Sequence, residues 1–214
     1  PTRRSSDLEG FITEGSVGTS FPRGRLRLEN LRDPGDGQAA NFLFWCKRDF
    51  AGDLIASWEF QPLYQPGLAM FWFCAQGRNG EDLFDPTLAP RAGEYQQYNK
   101  GDINAYHLSY FRRKHPQERA FQTCNLRKSY GFHLVAMGAD PIAEVASVVE
   151  PYKIQLLKCG NHIEFSINDL TVLVWDDDGD TYGPVYTDGG KIGFRQMAPL
   201  IAEYANLTVH AISK

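Results

Sequence analysis

Residues 69–76, AMFWFCAQ, form the run that decides the fold of this 214-residue chain. Alternate positions carry an apolar set and a set that ends in an amide, namely Phe71, Phe73 and Ala75 against Trp72, Cys74 and Gln76. A period of two is typical of a β-strand, and an apolar set on one face indicates a strand whose face is buried in a sandwich. The run therefore predicts one core strand of an all-β fold.

Similar short runs lie on both sides of this strand, with Gly, Pro, Asn and Asp between them. The other predicted strands are residues 11–12, 25–28, 41–46, 55–63, 104–113, 125–128, 131–137, 152–158, 162–168, 170–175, 191–197 and 205–212. About a dozen such strands separated by turns predict a jelly-roll β-sandwich of two antiparallel sheets. A length of 214 residues suits one domain over residues 1–214, with a loose N-terminal segment at 1–10.

Two connecting segments are long enough to predict separately. Residues 77–93 are rich in Gly, Pro and Asp, and a loop of this length usually serves a purpose. Residues 140–149 begin with Asp-Pro and contain alanine, which indicates either a helix or a loop with a single helical turn.

Composition excludes several classes of function. The net charge of −4 argues against general nucleic-acid binding, which needs a basic face. No run of 18 apolar residues is present, so no membrane-spanning helix is predicted. The four cysteines have no C-x-x-C spacing, which predicts buried free thiols, a reducing compartment and a cytoplasmic location.

One window reverses the charge of the chain. Residues 100–133 hold seven Lys or Arg and two acids, a net charge of +5 that leaves −9 for the other residues. Such a reversal can attract an anionic ligand to an acidic protein. The alternative is a set of solvated strand faces. Tyr, His and Asn side chains stand among these charges, and a surface that is merely soluble does not need them.

Several motifs taken together resemble one bacterial family. They are Gly101-Asp102-Ile103-Asn104, Tyr106-His107-Leu108-Ser109-Tyr110, Asn125-Leu126-Arg127-Lys128, Gly131-Phe132-His133-Leu134-Val135, Gly193-Phe194-Arg195-Gln196-Met197 and Tyr204-Ala205-Asn206-Leu207. The chain is similar, from about residue 40 to residue 212, to the YesU-like family of unknown function in the concanavalin-A-like lectin/glucanase superfamily. The resemblance implies a concanavalin-A-like jelly roll with a concave ligand face and an association with polysaccharide breakdown. It leaves lectin, hydrolase and lyase open, because fold alone does not decide function.

The residues of the chain favour a lyase over a glycoside hydrolase. A hydrolase needs two carboxylates across one bond. The strand-central acid here is Glu59, either a lone acid on the ligand face or a strand-edge charge. β-Elimination from a uronic acid needs a group that neutralises the carboxylate, a base and an acid, and Tyr, His, Arg, Asn and Gln can supply these. The predicted catalytic residues are Tyr106, His107 and His133.

Strand alternation predicts which side chains face the ligand. If Phe132 and Leu134 face the core, His133 faces outward. By the same rule, a core-facing Phe194 places Arg195 on the open face, and a core-facing Leu126 places Asn125 and Arg127 there. Residues 104–113 leave two alternatives. One face carries Tyr106 and Tyr110, the other carries His107, Ser109 and Arg113, and we prefer the second as the open face.

A glycan-binding module without catalysis is the alternative function. It needs an aromatic platform and planar polar side chains. Trp72 can serve as that platform or as a core residue. The predicted ligand-binding set for an acidic, uronate-containing oligosaccharide is Glu59, Trp72, Gln76, Tyr110, Arg113, Asn125, Arg127, Arg195 and Gln196.

No cofactor is expected from the sequence. The five histidines show no zinc spacing, and the acidic run at 176–180 does not fit the EF-hand pattern, since Thr181 and Thr187 stand where Gly and Glu are needed. A calcium site of another kind in this run is the alternative, given its hard oxygen ligands. The sequence does not predict an oligomeric state.

Overall fold

The computed structural model describes residues 8–115 and 123–212. Within these ranges the strands are β1 Phe11–Glu14, β2 Val17–Ser20, β3 Leu26–Asn30, β4 Phe42–Cys46, β5 Leu54–Tyr64, β6 Leu68–Gly77, β7 Ile103–Tyr110, β8 Thr123–Ser129, β9 His133–Ala139, β10 Tyr152–Cys159, β11 His162–Ile167, β12 Leu170–Asp176, β13 Lys191–Met197 and β14 Ile201–Ala211. A single turn of α-helix, α1, spans Gln96–Asn99. β2 lies where the sequence predicted no strand.

The strands form two antiparallel sheets of seven strands each. Sheet A has the order β1-β4-β13-β6-β7-β8-β9, and sheet B has the order β12-β11-β10-β5-β14-β3-β2. Half of the neighbouring pairs among these strands are not consecutive in sequence, as in a jelly roll. The predicted all-β sandwich of two antiparallel sheets is therefore confirmed.

The main core lies between the two sheets. Sheet A contributes aromatic side chains such as Phe71 and Phe194, which pack against Trp58 of sheet B at centroid distances of 4.5 and 5.5 Å. Each buried aromatic ring of this kind contributes a large apolar area to the core. Strands whose alternate residues face this layer are thereby fixed in register, because a slip of one residue would turn the apolar set outward.

Strand β6 departs from the predicted alternation at Cys74. This residue has a φ of 52°, and the register with β7 shifts between Phe73 and Gln76. The bulge keeps both Phe73 and Cys74 in the main core and turns Ala75 to the opposite face. β6 is also buried on both faces, whereas the sequence predicted one buried face.

A second, smaller core explains this burial. The long connection between β6 and β7, residues 78–102, lies over part of the outer face of sheet A, the face turned away from sheet B. Its Leu83 and Tyr98 pack with Trp45 and Trp72 of the sheet. Gly93 allows this close approach, because its φ is 93° and a Cβ there would stand 2.1 Å from the carbonyl oxygen of Asn41.

The remaining predictions about the chain have mixed outcomes. Residues 140–149 contain only a 3₁₀ turn at Val145–Ser147, which is the loop alternative. All four cysteines are free, and Cys159 differs from the others in being half-buried. No helix in the described ranges is long and apolar enough to cross a membrane. Residues 1–7 of the predicted loose N-terminus, and residues 116–122 of the basic window, lie outside the described residues.

Candidate functional site

The outer face of sheet A gathers polar and aromatic side chains on its central strands. Trp72 of β6 stands opposite His107 of β7, and His107 stands opposite Arg127 of β8. In the neighbouring row of cross-strand partners, Arg195 of β13 stands opposite Met70 of β6. Met70 stands opposite Ser109 of β7, and Ser109 stands opposite Asn125 of β8. Residues two apart along a strand share a face, so these two rows form one surface. With Tyr95 of the covering loop they are called here the outer-face cluster: Trp72, Tyr95, His107, Asn125, Arg127 and Arg195.

Arg195 is the charged centre of the cluster and is fully buried, with 0% of its surface exposed. Its Nη2 donates to the carbonyl oxygen of Gly93 at 3.0 Å and to Oε1 of Gln38 at 3.2 Å. Burial lowers the pKa of the guanidinium to about 10, although the rings of Tyr95 and Tyr98 oppose the shift. Within the described ranges, Arg195 forms no salt bridge with a carboxylate. Its charge is therefore held away from water with no opposite charge beside it, which is costly.

Several buried polar atoms of the cluster lack a hydrogen-bond partner among the described residues. They are Nε and Nη1 of Arg195, Nε1 of Trp72, Nδ1 of His107 and Oδ1 of Asn125. Buried polar groups in proteins are nearly always paired, so each such atom calls for an explanation. Five such atoms lie on one sheet face and have no explanation within the described structure.

His107 is held as a neutral ring inside this cluster. It stacks on Trp72 at a centroid distance of 4.0 Å, and its Nε2 lies 3.3 Å from both Oη of Tyr95 and Oγ of Ser129. Burial, followed by the nearby charges of Arg127 and Arg195, lowers the pKa of His107 well below its usual value. A neutral imidazole can accept or donate a proton, whereas an imidazolium beside two guanidinium groups would be repelled.

The depressed pKa of His107 predicts a pH-dependent stability. The unfolded chain takes up a proton on this ring as the pH falls below about 6.5, while the folded chain does not. The contribution of neutral His107 to the free energy of unfolding is thus fully present above about pH 6.5, and it is lost progressively as the pH falls below that value. Between about pH 7.5 and pH 5.5, we expect the wild type to lose about 1 kcal/mol more of its free energy of unfolding than His107→Gln does. Urea unfolding of both proteins at each pH measures this, and equal losses would contradict it.

Tyr95 lies in the long loop, one residue before α1, and was not among the residues predicted from the sequence. Its ring contacts Trp72 edge-on at 6.3 Å, and the guanidinium of Arg195 lies 5.2 Å from the ring centroid. Burial raises the pKa of Tyr95 to about 12, with Arg127 and Arg195 opposing the shift. Gln38, also missed, accepts from the backbone N–H of Tyr95 at 3.3 Å and thereby fixes the loop to Arg195. Loop residues show no periodicity, so the sequence indicated this part of the site through the unusual length of the loop.

Arg127 and Phe132 form the more exposed border of the cluster. Arg127 is half-buried, and its guanidinium carbon lies 3.8 Å from the ring centroid of Phe132, a cation–π contact. Nη1 of Arg127 donates to the carbonyl oxygen of Phe132 at 3.2 Å. Phe132 is 53% exposed and meets Tyr95 edge-on at 5.6 Å. A second cation thus acts on Tyr95 and His107 together with Arg195, from a position closer to solvent.

Tyr106 and Tyr110 were predicted as site residues, but both lie in the main core. The preferred alternative for β7 is correct, since His107 and Ser109 face outward and the tyrosines consequently face sheet B. Oη of Tyr106 donates to Oδ2 of Asp177 at 2.5 Å, and Oη of Tyr110 accepts from Nε1 of Trp58 at 3.2 Å.

Arg113 and Gln196 were also predicted on the ligand face and lie elsewhere. Phe111 has a φ of 47°, which ends the alternation of β7 and carries Arg113 to a buried ion pair with Asp140, at 2.9 Å. Gln196 follows Arg195 on β13 and points the other way, between the sheets, where it is hydrogen-bonded to Oη of Tyr204 at 2.9 Å.

His133 faces away from the cluster because it stands opposite Lys128, whose side chain points to the other face of the sheet and pairs with Asp177. Phe132 and Leu134, predicted to face the core, are 53% and 39% exposed. A bulge between β8 and β9 directs Val135 and Ala136 to the main core instead. His133 stacks on Tyr182 at 4.4 Å.

Glu59 and Gln76 lie at two other places. Glu59 is on sheet B, where it accepts from Arg25 at 2.6 Å and from Asn206 at 2.7 Å. It lines a polar pocket there, far in the fold from the outer face of sheet A. Gln76 follows the Cys74 bulge and lines a pocket with acidic neighbours such as Glu81.

The acidic run at 176–180 is engaged in internal contacts. Asp177 is buried and pairs with Nζ of Lys128 at 2.7 Å, while Asp176 lies 2.7 Å from Nδ1 of His162. Across residues 8–115 and 123–212, no group of three or more His, Cys, Asp or Glu side chains is arranged to hold a metal ion. The expectation of no cofactor, with calcium as its alternative, stays a prediction.

One protein sequence and two solved structures resemble this chain to different degrees. The uncharacterized protein YesU of Bacillus subtilis (strain 168) is 52% identical over 210 residues, which cover 98% of this chain and 93% of that protein. A crystal structure of a protein of unknown function with a galectin-like fold, from Bacillus subtilis, matches at a TM-score of 0.93 and 51% identity, covering 99% and 93% of the two chains. The carbohydrate recognition domain of Emp46p, in a potassium-bound form, matches at a TM-score of 0.65 and 10% identity, covering 100% and 94%.

The last of these likenesses concerns the fold alone, because its identity is low. The first two extend over nearly the whole chain and confirm the resemblance that the motifs indicated. The model of a domain of unknown function, DUF1961, matches residues 1–209. The chain therefore belongs to the DUF1961 family.

Proposed function

We propose that the outer face of sheet A binds an oligosaccharide that carries carboxylate groups. The observation that supports this most is the buried charge of Arg195, whose Nε and Nη1 have no partner among the described residues. Once Tyr95 of the covering loop moves off the guanidinium, a ligand carboxylate beside Arg195 would supply both the missing charge and the missing acceptor. Hydrogen bonds between a guanidinium and a carboxylate are among the strongest in proteins.

The rest of the cluster suits the neutral part of a sugar. Sugar hydroxyls can donate to Oδ1 of Asn125 and accept from Nε1 of Trp72, two atoms that are otherwise unpaired in the described structure. The rings of Tyr95 and Phe132 offer apolar surface beside them. The Emp46p domain that shares this fold is named for carbohydrate recognition, which supports a sugar ligand by analogy of fold.

β-Elimination from a uronate is a second candidate, which the contact between Tyr95 and His107 favours. In this reaction, the guanidinium groups neutralise the carboxylate, and a base removes the proton on the adjacent carbon. The C–O bond to the next sugar breaks, a C=C bond forms, and the leaving oxygen takes up a proton. Tyr95 and neutral His107 stand beside Arg127 and Arg195, where both proton transfers would be needed. A role in polysaccharide degradation would follow.

Calorimetry with matched ligands tests the binding proposal. Oligomers of galacturonate, mannuronate and glucuronate are compared with the same oligomers after chemical reduction of the carboxylates to alcohols. We expect at least one acidic series to bind about tenfold or more tightly than its reduced form, because a charged hydrogen bond contributes about 1.5–3 kcal/mol. Equal affinities for the two forms would contradict an acidic ligand.

Ultraviolet absorbance of the same mixtures tests the lyase. Elimination leaves an unsaturated sugar that absorbs, whereas hydrolysis and simple binding do not. A rising absorbance that disappears in Tyr95→Phe would support catalysis. Binding without any absorbance change across the three uronates would leave the protein as a glycan-binding module.

A further inference from the structure

Strand β9 continues the outer-face cluster with apolar side chains instead of polar ones. Leu134 stands opposite Arg127, and Met137 stands opposite Asn125, so both share the face of the cluster. Phe132, two residues before Leu134, lies on the same side and contacts Arg127. Phe132 is 53% exposed, Leu134 is 39% exposed and Met137 is 64% exposed. They form what is called here the β9 strip.

The burial of the face therefore changes sharply from one strand to the next. His107 and Asn125 are almost fully buried, whereas the β9 strip is open to solvent. Exposed apolar side chains that lie together at the border of a polar site are typical of a surface that meets a partner or ligand. The position of the strip, continuous with the cluster through Phe132, points to the same ligand and not to a separate one.

We propose that the β9 strip is a second subsite, in which Phe132 stacks on the sugar residue adjacent to the one whose carboxylate meets Arg195. This inference rests on the proposed function. A pyranose ring has a less polar face of C–H groups that packs on aromatic rings, while its hydroxyls point outward to water. The ligand is thus an oligosaccharide of at least two residues, and a free monosaccharide fills only half of the site.

The cation–π contact gives Phe132 its orientation for this role. The guanidinium of Arg127 covers one face of the ring at 3.8 Å, and Tyr95 touches the ring edge-on. The ring is thereby fixed between the two residues, with about half of its surface left open. A ring that is already oriented loses little conformational freedom when a sugar binds.

Affinity as a function of ligand length tests the subsite. Wild type is titrated by calorimetry with uronate monomers, dimers and trimers of the series that binds, beside Phe132→Ala, Phe132→Tyr and the control Leu170→Ala. Leu170 is 57% exposed on sheet B, so its replacement removes a comparable apolar surface elsewhere. We expect the trimer to bind wild type, Phe132→Tyr and Leu170→Ala about tenfold more tightly than the monomer does, and this ratio to fall below about threefold in Phe132→Ala.

The outcomes separate the two proposals. Tight binding of oligomers with no dependence on length, or a Phe132→Ala protein that loses monomer and trimer affinity equally, would overturn the subsite and leave the acidic site in place. The absence of binding to every uronate would overturn the proposed function and the subsite with it. Urea unfolding of Phe132→Ala establishes that the variant is folded before it is titrated.

Discussion

Replacing Arg195 with Met should change the free energy of unfolding by less than about 1 kcal/mol, whereas Arg113→Met should lower it by about 3–5 kcal/mol. Both arginines are almost completely buried, at 0% and 1% exposure. Arg113 pairs with Asp140 and donates to the carbonyl oxygen of Ile142 at 2.6 Å. Its loss leaves the buried Asp140 carboxylate without this cation, with the backbone N–H groups of Arg112 and Ile142 as its remaining donors. Arg195 has no such carboxylate within the described structure, and its removal relieves a buried charge while two hydrogen bonds to neutral acceptors and the contact with the Tyr95 ring are lost.

Urea unfolding of the two variants beside the wild type measures this difference directly. The pair is well matched, because the same residue type is replaced by the same apolar residue at two buried positions. Equal and large losses would mean that the Arg195 charge stabilises the fold, and the main support for a ligand anion there would be gone. Natural binding sites often retain groups that cost stability in the free protein.

Arg195→Met should also weaken binding of an acidic oligosaccharide by about 30-fold to 100-fold, because removing one partner of a buried charge pair costs about 2 kcal/mol or more. The carboxyl-reduced form of the same oligosaccharide should lose less than about tenfold, since its hydroxyl is an uncharged partner for the guanidinium. Calorimetry of both ligands on both proteins gives the four affinities needed.

Arg127→Met provides a graded comparison for this experiment. Arg127 is half-buried, and solvent screens its charge more than that of Arg195. We expect a loss for the acidic ligand about threefold to tenfold smaller than that of Arg195→Met. Equal losses for acidic and reduced ligands in both variants would mean that the arginines shape the site without binding a carboxylate.

Strand alternation predicted much of the site and failed for definable reasons. It placed Arg195, Asn125 and Arg127 correctly, because apolar residues beside each of them pack into the main core. Arg113 was misplaced since the positive φ of Phe111 interrupts the period of two. His133 was misplaced because an edge strand exposes apolar residues that would be buried in a central one.

The parts that came from loops could not be predicted by periodicity. Tyr95 is held at the site by contacts that involve Gln38 and Gly93. Gly93 is close to Tyr95 in sequence, whereas Gln38 is far from it. Such long-range contacts follow from the tertiary fold and not from local pattern. The two-sheet architecture, in contrast, was predictable, because turn residues and short apolar runs recur throughout the chain.

A crystal structure of the protein with a bound uronate trimer tests the central claim most directly. We expect a carboxylate of the sugar within hydrogen-bond distance of Nε or Nη1 of Arg195, and the neighbouring sugar ring stacked on Phe132. A trimer bound instead in the polar pocket around Glu59 on sheet B, with the outer face of sheet A unchanged, would contradict the claim.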